Sequence, residues 1–188
     1  MIQITSDQIE RVNLILSGIP GGAQKAFSSV IRRANSTVKT ETVRQITATY
    51  AISAQRVRAG GNIRAQVQKA DGGVVGTVTF AGYKLPLYRF NVTPTLPIQR
   101  AEVKAAVMRG NGQTPFVHAF IARMKSGHTG MFERETGRSF PVTEFMAQST
   151  AQMAGNEEVL EQVSEKAQET VNKRIEHEIT RILNGYGG

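Results

Sequence analysis

The chain has 188 residues and a mass of 20.5 kDa, with 23 Lys and Arg against 15 Asp and Glu, three His, no Cys and no Trp. A hydrophobic fraction of 40% and a charged fraction of 20% are typical of a globular protein, which excludes a disordered tail and a membrane-spanning chain. The absence of Cys excludes disulfides, thiolate metal sites and cysteine nucleophiles. The length predicts a single domain over residues 1–188, and because the start does not resemble a signal peptide we expect the chain to stay in the cell that makes it.

Two helices are predicted within residues 1–47. In the first, Ser6 is the expected cap and Gly18 the expected end. Its apolar stripe consists of Ile9, Val12 and Leu16. Beyond the GIPGG break, apolar residues at helical spacing predict a second helix from Gly22 to Thr47, whose outer face carries basic side chains.

Residues 48–150 are predicted to form the sheet region. Ser53 is expected to cap a short helix that brings Arg56 and Arg58 near Arg64, giving a basic elbow around Gly60-Gly61. The alternation in NIRAQVQKA predicts a half-buried strand, and Asp71-Gly72-Gly73 predicts a hairpin turn to a partner strand, VVGTVTF.

Residues 81–100 carry three prolines with aromatic residues between them. Because proline is excluded from central strands, this stretch is predicted to be an extended arm or an edge excursion. Strands are then expected at AEVKAAVM and HTGMFERE. Between these two, PFVHAFIARM is apolar on both faces, which predicts one strand buried on both sides, in mid-sheet or against another chain. The stretch SFPVTEFMAQSTAQM is expected to be irregular.

The C-terminal helix, residues 156–184, is the clearest element in the sequence. Asn156 is its expected cap, glutamates fill its first turns, and Gly185 ends it. The order of elements predicts an α+β fold: a long N-terminal helix, an antiparallel or mixed β-sheet, and a long C-terminal amphipathic helix packed on one face.

No catalytic or metal-binding pattern is found in the sequence. The three histidines, His118, His128 and His177, have no second His or Cys at ligand spacing, which argues against a zinc site. His118 lies in an apolar stretch and is expected to be a core or interface residue. No G-x-S-x-G nucleophile turn or complete phosphate-binding loop is present. We therefore expect no enzymatic activity, no metal and no cofactor.

Charge is distributed unevenly along the chain. Residues 20–125 contain 16 Lys and Arg against three Asp and Glu, a net of +13, whereas residues 151–188 contain four against seven, a net of −3. Such polarity fits subunits that dock through complementary surfaces, and it equally fits a nucleic-acid face with an acidic rear. Few aromatic residues lie among the arginines, which argues against sequence-specific reading of bases.

Three stretches of the chain carry a further signal: YAISAQRVRAGGNIRAQVQKA, KLPLYRFNVTP, and FIARMKSGHTGMFERETGR followed by FPVTEF. They resemble the prophage minor tail protein Z family of long-tailed phages. With the order of long basic helix, sheet and C-terminal helix, the resemblance extends over most of residues 20–185. Some members of this family are more basic around the sheet than this chain is, so the resemblance supports a DNA contact less firmly than it supports assembly.

The resemblance implies a non-enzymatic structural protein of the virion, made in the host cytoplasm, that completes the head-proximal end of the tail. Such a protein forms a homo-oligomeric ring around the tail axis, with a hexamer expected. The implied partners are the tail terminator protein, the head–tail connector proteins, and the phage DNA end or the tape measure protein, with no membrane. The alternative is a non-specific DNA-binding protein.

Two sets of candidate residues follow from these expectations. The candidates for a surface facing the DNA or the lumen of the ring are Arg32, Arg33, Arg44, Arg56, Arg58 and Arg64. The candidates for contacts between subunits are Leu85, Leu87, Tyr88, Phe90, Phe116 and Phe120.

Overall fold

A computed structural model of the chain describes residues 6–70, 73–97 and 101–185. The side chain predicted to cap the first helix, Ser6, and the hairpin turn predicted at 71–72 lie outside what it describes. The chain divides into two compact units. We call Met1–Thr42, Ile63–Thr79 and Glu157–Gly188 the helical unit, and Val43–Asn62 and Phe80–Asn156 the sheet unit. The prediction of a single domain stays a prediction.

The described part of the chain contains five α-helices and ten strands. The helices are α1 (Ser6–Ile15), α2 (Gly22–Thr49), α3 (Ala54–Gly60), α4 (Thr150–Ala154) and α5 (Glu157–Leu183). The strands are β1 (Asn62–Ala70), β2 (Gly73–Ala81), β3 (Lys84–Pro86), β4 (Asn91–Thr93), β5 (Val103–Ala106), β6 (Thr114–Phe116), β7 (Ala119–Arg123), β8 (Thr129–Arg134), β9 (Val142–Glu144) and β10 (Met146–Ser149). The predicted α+β class and both long helices are confirmed, and the strands form four small sheets.

The helical unit is built around the apolar stripes of α1, α2 and α5. Their shared core consists of Val12, Leu16, Ala26, Val30, Ala34, Val171, Ile175, Ile179 and Ile182. The predicted stripe of α1 is right at Val12 and Leu16 but wrong at Ile9, which is 40% exposed and lines an open groove. Gly185 follows α5 with φ +78°, the left-handed conformation that glycine adopts most readily after a helix.

Strands β1 and β2 pair with each other and pack on α2 within the helical unit. The Asn35 side chain, buried on α2, donates a hydrogen bond of 2.8 Å from Nδ2 to the Gln66 carbonyl of β1. A Cβ atom on Gly76 would collide with Ile31 and lie 2.7 Å from Asn35 Oδ1. Gly76 therefore allows the backbone of β2 to approach the helix closely.

The sheet unit contains three antiparallel sheets. In one, β5 lies between β4 and β6; in another, β8 lies between β7 and β9; and β3 pairs with β10. A bridge from Tyr50 to Met108 joins the residue after α2 to the residues after β5. Buried side chains from all three sheets form the core, among them Leu85, Val92, Val103, Ile121 and Met131.

Of the two alternatives for the proline-containing stretch, the structure has edge strands and not an extended arm. It forms β3, a 3-10 turn over Leu87–Arg89, and β4, and its apolar side chains point into the sheet unit. Pro86, with φ −51°, lies where the strand gives way to the turn, a position that requires no amide hydrogen. The prolines thus end very short strands instead of excluding the segment from the core.

The prediction of one strand buried on both sides at PFVHAFIARM is wrong. The segment forms β6 and β7, which belong to different sheets, with a turn between them. Val117 in that turn is 87% exposed, and His118 is exposed as well, so His118 is not a core residue. Apolar residues on both faces arise here because the two short strands bury different faces on different sheets.

Residues 139–153, which we expected to be irregular, contain β9, β10 and most of α4. A capping box begins α4: the Ser149 hydroxyl accepts from the Gln152 amide, and the Gln152 side chain accepts from the Ser149 amide. The sequence S-T-A-Q at this position satisfies the S/T-x-x-E/Q pattern for such a box, and the pattern could have indicated this helix.

Glycines allow three backbone segments of the sheet unit to meet where α3 ends. A Cβ atom on Gly61 would lie 2.7 Å from Thr150 Cβ, and one on Gly82 would lie 2.7 Å from the carbonyl oxygen of Gly60. The Thr150 side chain is fully buried and donates to the Val57 carbonyl at 3.1 Å. The Gly60-Gly61 pair, around which we predicted the basic elbow, therefore also allows these backbone segments to pack closely.

We expect Gly82→Ala to lower the free energy of unfolding by about 1–3 kcal/mol, because its methyl group would be forced against backbone that cannot move alone. Gly112→Ala is the matched control, since a Cβ there meets no heavy atom within 4 Å. Chemical denaturation followed by circular dichroism measures both. Equal stability of the two variants would contradict the packing role of Gly82.

Candidate functional site

The six candidate arginines divide evenly between the two units. Arg32 and Arg33 on α2 and Arg64 on β1 belong to the helical unit, and all three are exposed. Arg32 and Arg33 make no side-chain ion pair or hydrogen bond with a described residue, so their guanidinium groups remain available to an anion. Arg64 lies on the exposed side of its strand together with Gln66.

The other three arginines, Arg44, Arg56 and Arg58, are exposed in the sheet unit. Arg56 has a structural partner, because its Nη1 donates to the Arg89 carbonyl at 2.6 Å and so joins α3 to the 3-10 turn. The predicted cap on α3 is confirmed: the Ser53 hydroxyl accepts from the Arg56 amide. Arg58 makes no side-chain contact of this kind within the described ranges.

The net charge of the protein resides in the sheet unit. By sequence this unit contains 12 Lys and Arg against four Asp and Glu, a net of +8, whereas the helical unit contains 11 of each and is neutral. Most of the long basic helix, residues 22–42 of α2, therefore belongs to a unit whose charges cancel. An anionic partner is expected to be attracted mainly to the sheet unit.

Three of the six candidate subunit contacts are instead core residues. Leu85, Leu87 and Phe90 are 3%, 6% and 5% exposed, so they are covered by their own chain and cannot contact another subunit in this conformation. Tyr88 is half-buried, and its hydroxyl donates to the Thr95 carbonyl at 2.6 Å. The prolines led us to expect an apolar arm here, but they end short strands whose apolar side chains Leu85, Leu87 and Phe90 fill the core of the sheet unit.

Phe116 and Phe120 are half-buried and already contact other aromatic rings. Phe116 meets Phe145 edge-on with a centroid distance of 5.3 Å. Phe120 lies beside Phe132 at 6.1 Å, and the Arg134 guanidinium stacks over its ring at 4.9 Å. Their remaining exposed surface is the part that another subunit could contact.

An open groove of about 610 Å³ lies in the sheet unit beside Phe116. Its apolar wall includes Leu87, Phe145 and Met146, and Lys84 lies on its lining. A second opening of about 510 Å³ is lined by two of the same residues, Met108 and Asn111, and by Arg109. We call these two together the sheet-unit groove.

The lining of the sheet-unit groove combines apolar side chains with uncharged polar ones, such as Gln148 and Gln152, and two cations, Lys84 and Arg109. No Asp or Glu is among the described residues that line it. Arg109 is partly fixed, because its Nε donates to the Thr47 carbonyl at 2.6 Å. A groove with an apolar wall and two cations on its lining suits an amphipathic, acidic ligand.

A patch of opposite character occupies the first three turns of α5, which begins in the helical unit. Its members are Glu157, Glu158, Leu160, Glu161 and Glu165, and we call it the acidic patch. All four carboxylates are exposed, none forms an ion pair with a described residue, and Leu160 is 50% exposed. The sequence predicts glutamates in the first turns of this helix, but it does not indicate that Leu160 among them is exposed.

A buried carboxylate on α5 was also missed. Glu178 is 1% exposed, and its Oε2 lies 2.8 Å from Arg181 Nη2, while its Oε1 lies 3.4 Å from Arg174 Nη2. The sequence shows arginines four residues before and three residues after Glu178, the positions that face it on a helix. That spacing is the signal that could have found this cluster.

Some of the remaining ionisable groups form surface pairs. His128 Nε2 lies 2.7 Å from Glu144 Oε1 across the β7–β9 sheet. Glu169 accepts from Lys166 and Lys173, and these hydrogen bonds lower its pKa to about 2. Within the described ranges, no group of three or more His, Cys, Asp or Glu is arranged to hold a metal ion.

None of the helices in the described ranges combines the length and apolar character that a membrane crossing requires. Comparison with known proteins found no matching family model, no similar curated protein and no similar solved structure.

Proposed function

We propose that this protein is a structural subunit at the head-proximal end of a long-tailed phage tail, where copies of the chain form a ring around the tail axis. In this role it contacts the tail terminator and the head–tail connector, and its basic surface faces the DNA end. The three stretches that resemble the minor tail protein Z family motivate the proposal.

The observation that carries the proposal is the separation of charge and apolar surface between the two units. The sheet unit holds the whole net charge of +8 and a groove with no described carboxylate. The acidic patch, in contrast, has four exposed carboxylates without described partners. Complementary surfaces of this kind set partner choice and orientation between subunits.

A second candidate function, non-specific binding of nucleic acid, is favoured by the exposed arginines. Arg32, Arg33 and Arg58 have guanidinium groups that no described residue engages. A protein that neutralises several phosphates loses affinity steeply as salt rises, by about 10³–10⁵ between 50 and 200 mM for six to ten contacts. DNA binding with this dependence by a protein absent from virions would favour this candidate.

The proposal is tested by counting copies of this protein in purified phage particles with quantitative mass spectrometry. We expect a small fixed number per particle that matches the rotational symmetry of the tail, because a ring contributes one copy per symmetry position. A major tail tube protein in the same sample is the internal standard. Absence from the particles, with the protein left in the soluble fraction, would overturn the proposal.

A further inference from the structure

We infer that two copies of this chain associate head to tail, with the acidic patch of one copy inserted into the sheet-unit groove of the next. The inference rests on the proposed function in that it names the surfaces that would build its ring. Its chemistry is that of an amphipathic helix in a groove, with Leu160 as the apolar anchor and glutamates beside it.

The helix dipole accounts for only part of the acidic patch. Carboxylates in the first turn are stabilised by the positive end of a helix, which explains Glu157 and Glu158. Glu161 and Glu165 lie beyond the first turn, where this effect has faded, and no described residue neutralises them. These two carboxylates therefore have no stabilising role that the described part of the chain supplies.

Leu160 shows the same lack of an internal role. The buried stripe of α5 includes Val159, Val163 and Ala167, and Leu160 lies between that stripe and the acidic face, with half of its surface exposed. Its side chain faces the turn that contains Glu157. A leucine set among unpaired carboxylates is a compact anchor for a partner that is both apolar and positively charged.

The sheet-unit groove offers that combination. Phe116, Phe145 and Met146 form an apolar wall, and Met146 is 46% exposed. Lys84 and Arg109 supply positive charge, and the lining holds no described carboxylate that would repel a glutamate. Since Leu160 remains exposed in its own chain, the occupant of the groove is the acidic patch of a second copy.

The patch and the groove are different surfaces, so a head-to-tail contact between them is heterologous. A contact of this type leaves a free patch at one end and a free groove at the other, and repetition closes into a ring or extends into a filament. Two variants, each defective in a different surface, can therefore join only once.

The first test compares self-association of the full chain and two leucine variants by sedimentation velocity. Leu160→Ala is expected to weaken association by about tenfold or more, because it removes the apolar anchor. Leu183→Ala is the matched control: Leu183 is also on α5 and 53% exposed, but it is far from the patch. Alanine preserves helix propensity at both positions.

The second test uses a groove variant, Lys84→Glu with Met146→Glu, which reverses a charge and makes the exposed wall polar. Both side chains are exposed, so we expect the variant to fold with unchanged circular dichroism. Alone, it and Leu160→Ala are each expected to stay monomeric at concentrations where the wild type associates. Mixed one to one, they are expected to form dimers and nothing larger, through the one intact patch and the one intact groove.

Three results would overturn the inference: a wild-type chain that stays monomeric at every concentration, equal effects of the two leucine variants, or a mixture that remains monomeric. These outcomes are independent of the particle count. If the protein is present at a fixed copy number in particles but Leu160→Ala does not change association, the inference is wrong and the proposed function is retained. If the protein is absent from particles but the two variants form dimers when mixed, the proposed function is wrong and the head-to-tail contact is retained.

Discussion

Replacing Phe90 by Ala is expected to lower the free energy of unfolding by about 3–5 kcal/mol. The ring is 5% exposed and lies between the 3-10 turn and β4, in the core of the sheet unit. Truncation removes its apolar burial and leaves a cavity that the surrounding short strands can close only in part. Denaturant unfolding followed by circular dichroism and near-ultraviolet signal measures the loss.

Two controls separate a core role from an interface role. Phe140→Ala, in the same unit but 71% exposed, is expected to change stability by less than about 0.5 kcal/mol. Tyr88→Phe removes the hydroxyl that donates to the Thr95 carbonyl and is expected to cost about 1 kcal/mol. A Phe90→Ala protein as stable as the wild type that fails to assemble would return Phe90 to the subunit interface.

The sequence predicted the long helices well because their apolar stripes repeat over many turns. For α2 the predicted end lies two residues before the observed one, and α5 runs from Glu157 to Leu183 within the predicted range. Long amphipathic patterns average over many residues, so single exceptions such as Ile9 do not change the assignment. The cap at Ser53 was predictable as well, because a cap is a local interaction.

The short strands were harder to predict because their burial is decided by distant partners. β3, β4, β6 and β9 each have three residues, too few for alternation to be distinguished from chance. Whether Leu85 faces its own core or another subunit depends on Met153, Val57 and other residues far along the chain that fill the same unit. Propensity and spacing contain no such information.

The candidate site was predictable in its charge but not in its location. Composition indicated a basic surface, and the exposed arginines agree with it. The division into units shows that the excess belongs to the sheet unit, because acidic side chains of α5 and α1 balance α2 within the helical unit. A count along the chain cannot detect a cancellation between segments that are brought together only by folding.

Glu178→Ala is expected to lower the free energy of unfolding of the protein by about 3 kcal/mol. The carboxylate is 1% exposed and contacts Arg181 at 2.8 Å and Arg174 at 3.4 Å, beside the core that α5 shares with α1 and α2. Arg174 Nε is buried without a hydrogen-bond partner, so removing Glu178 leaves this guanidinium without its carboxylate. The loss is expected at the lower end for a buried ion pair because the two arginine side chains are 34% and 39% exposed.

Matched variants on the same helix identify the cause of this loss. Glu176→Ala breaks a surface pair, in which Arg11 donates at 2.7 and 3.0 Å, and is expected to cost at most about 1 kcal/mol. Glu178→Gln keeps the shape and one acceptor oxygen, so a smaller loss than for Ala would show that packing and hydrogen bonding contribute beside charge. If Glu178→Ala and Glu176→Ala unfold at the same denaturant concentration, the buried cluster does not stabilise the helical unit. A larger loss of stability for Glu178→Ala than for Glu176→Ala would show that Glu178, the charged residue in the buried stripe of α5, stabilises the fold together with its two arginines.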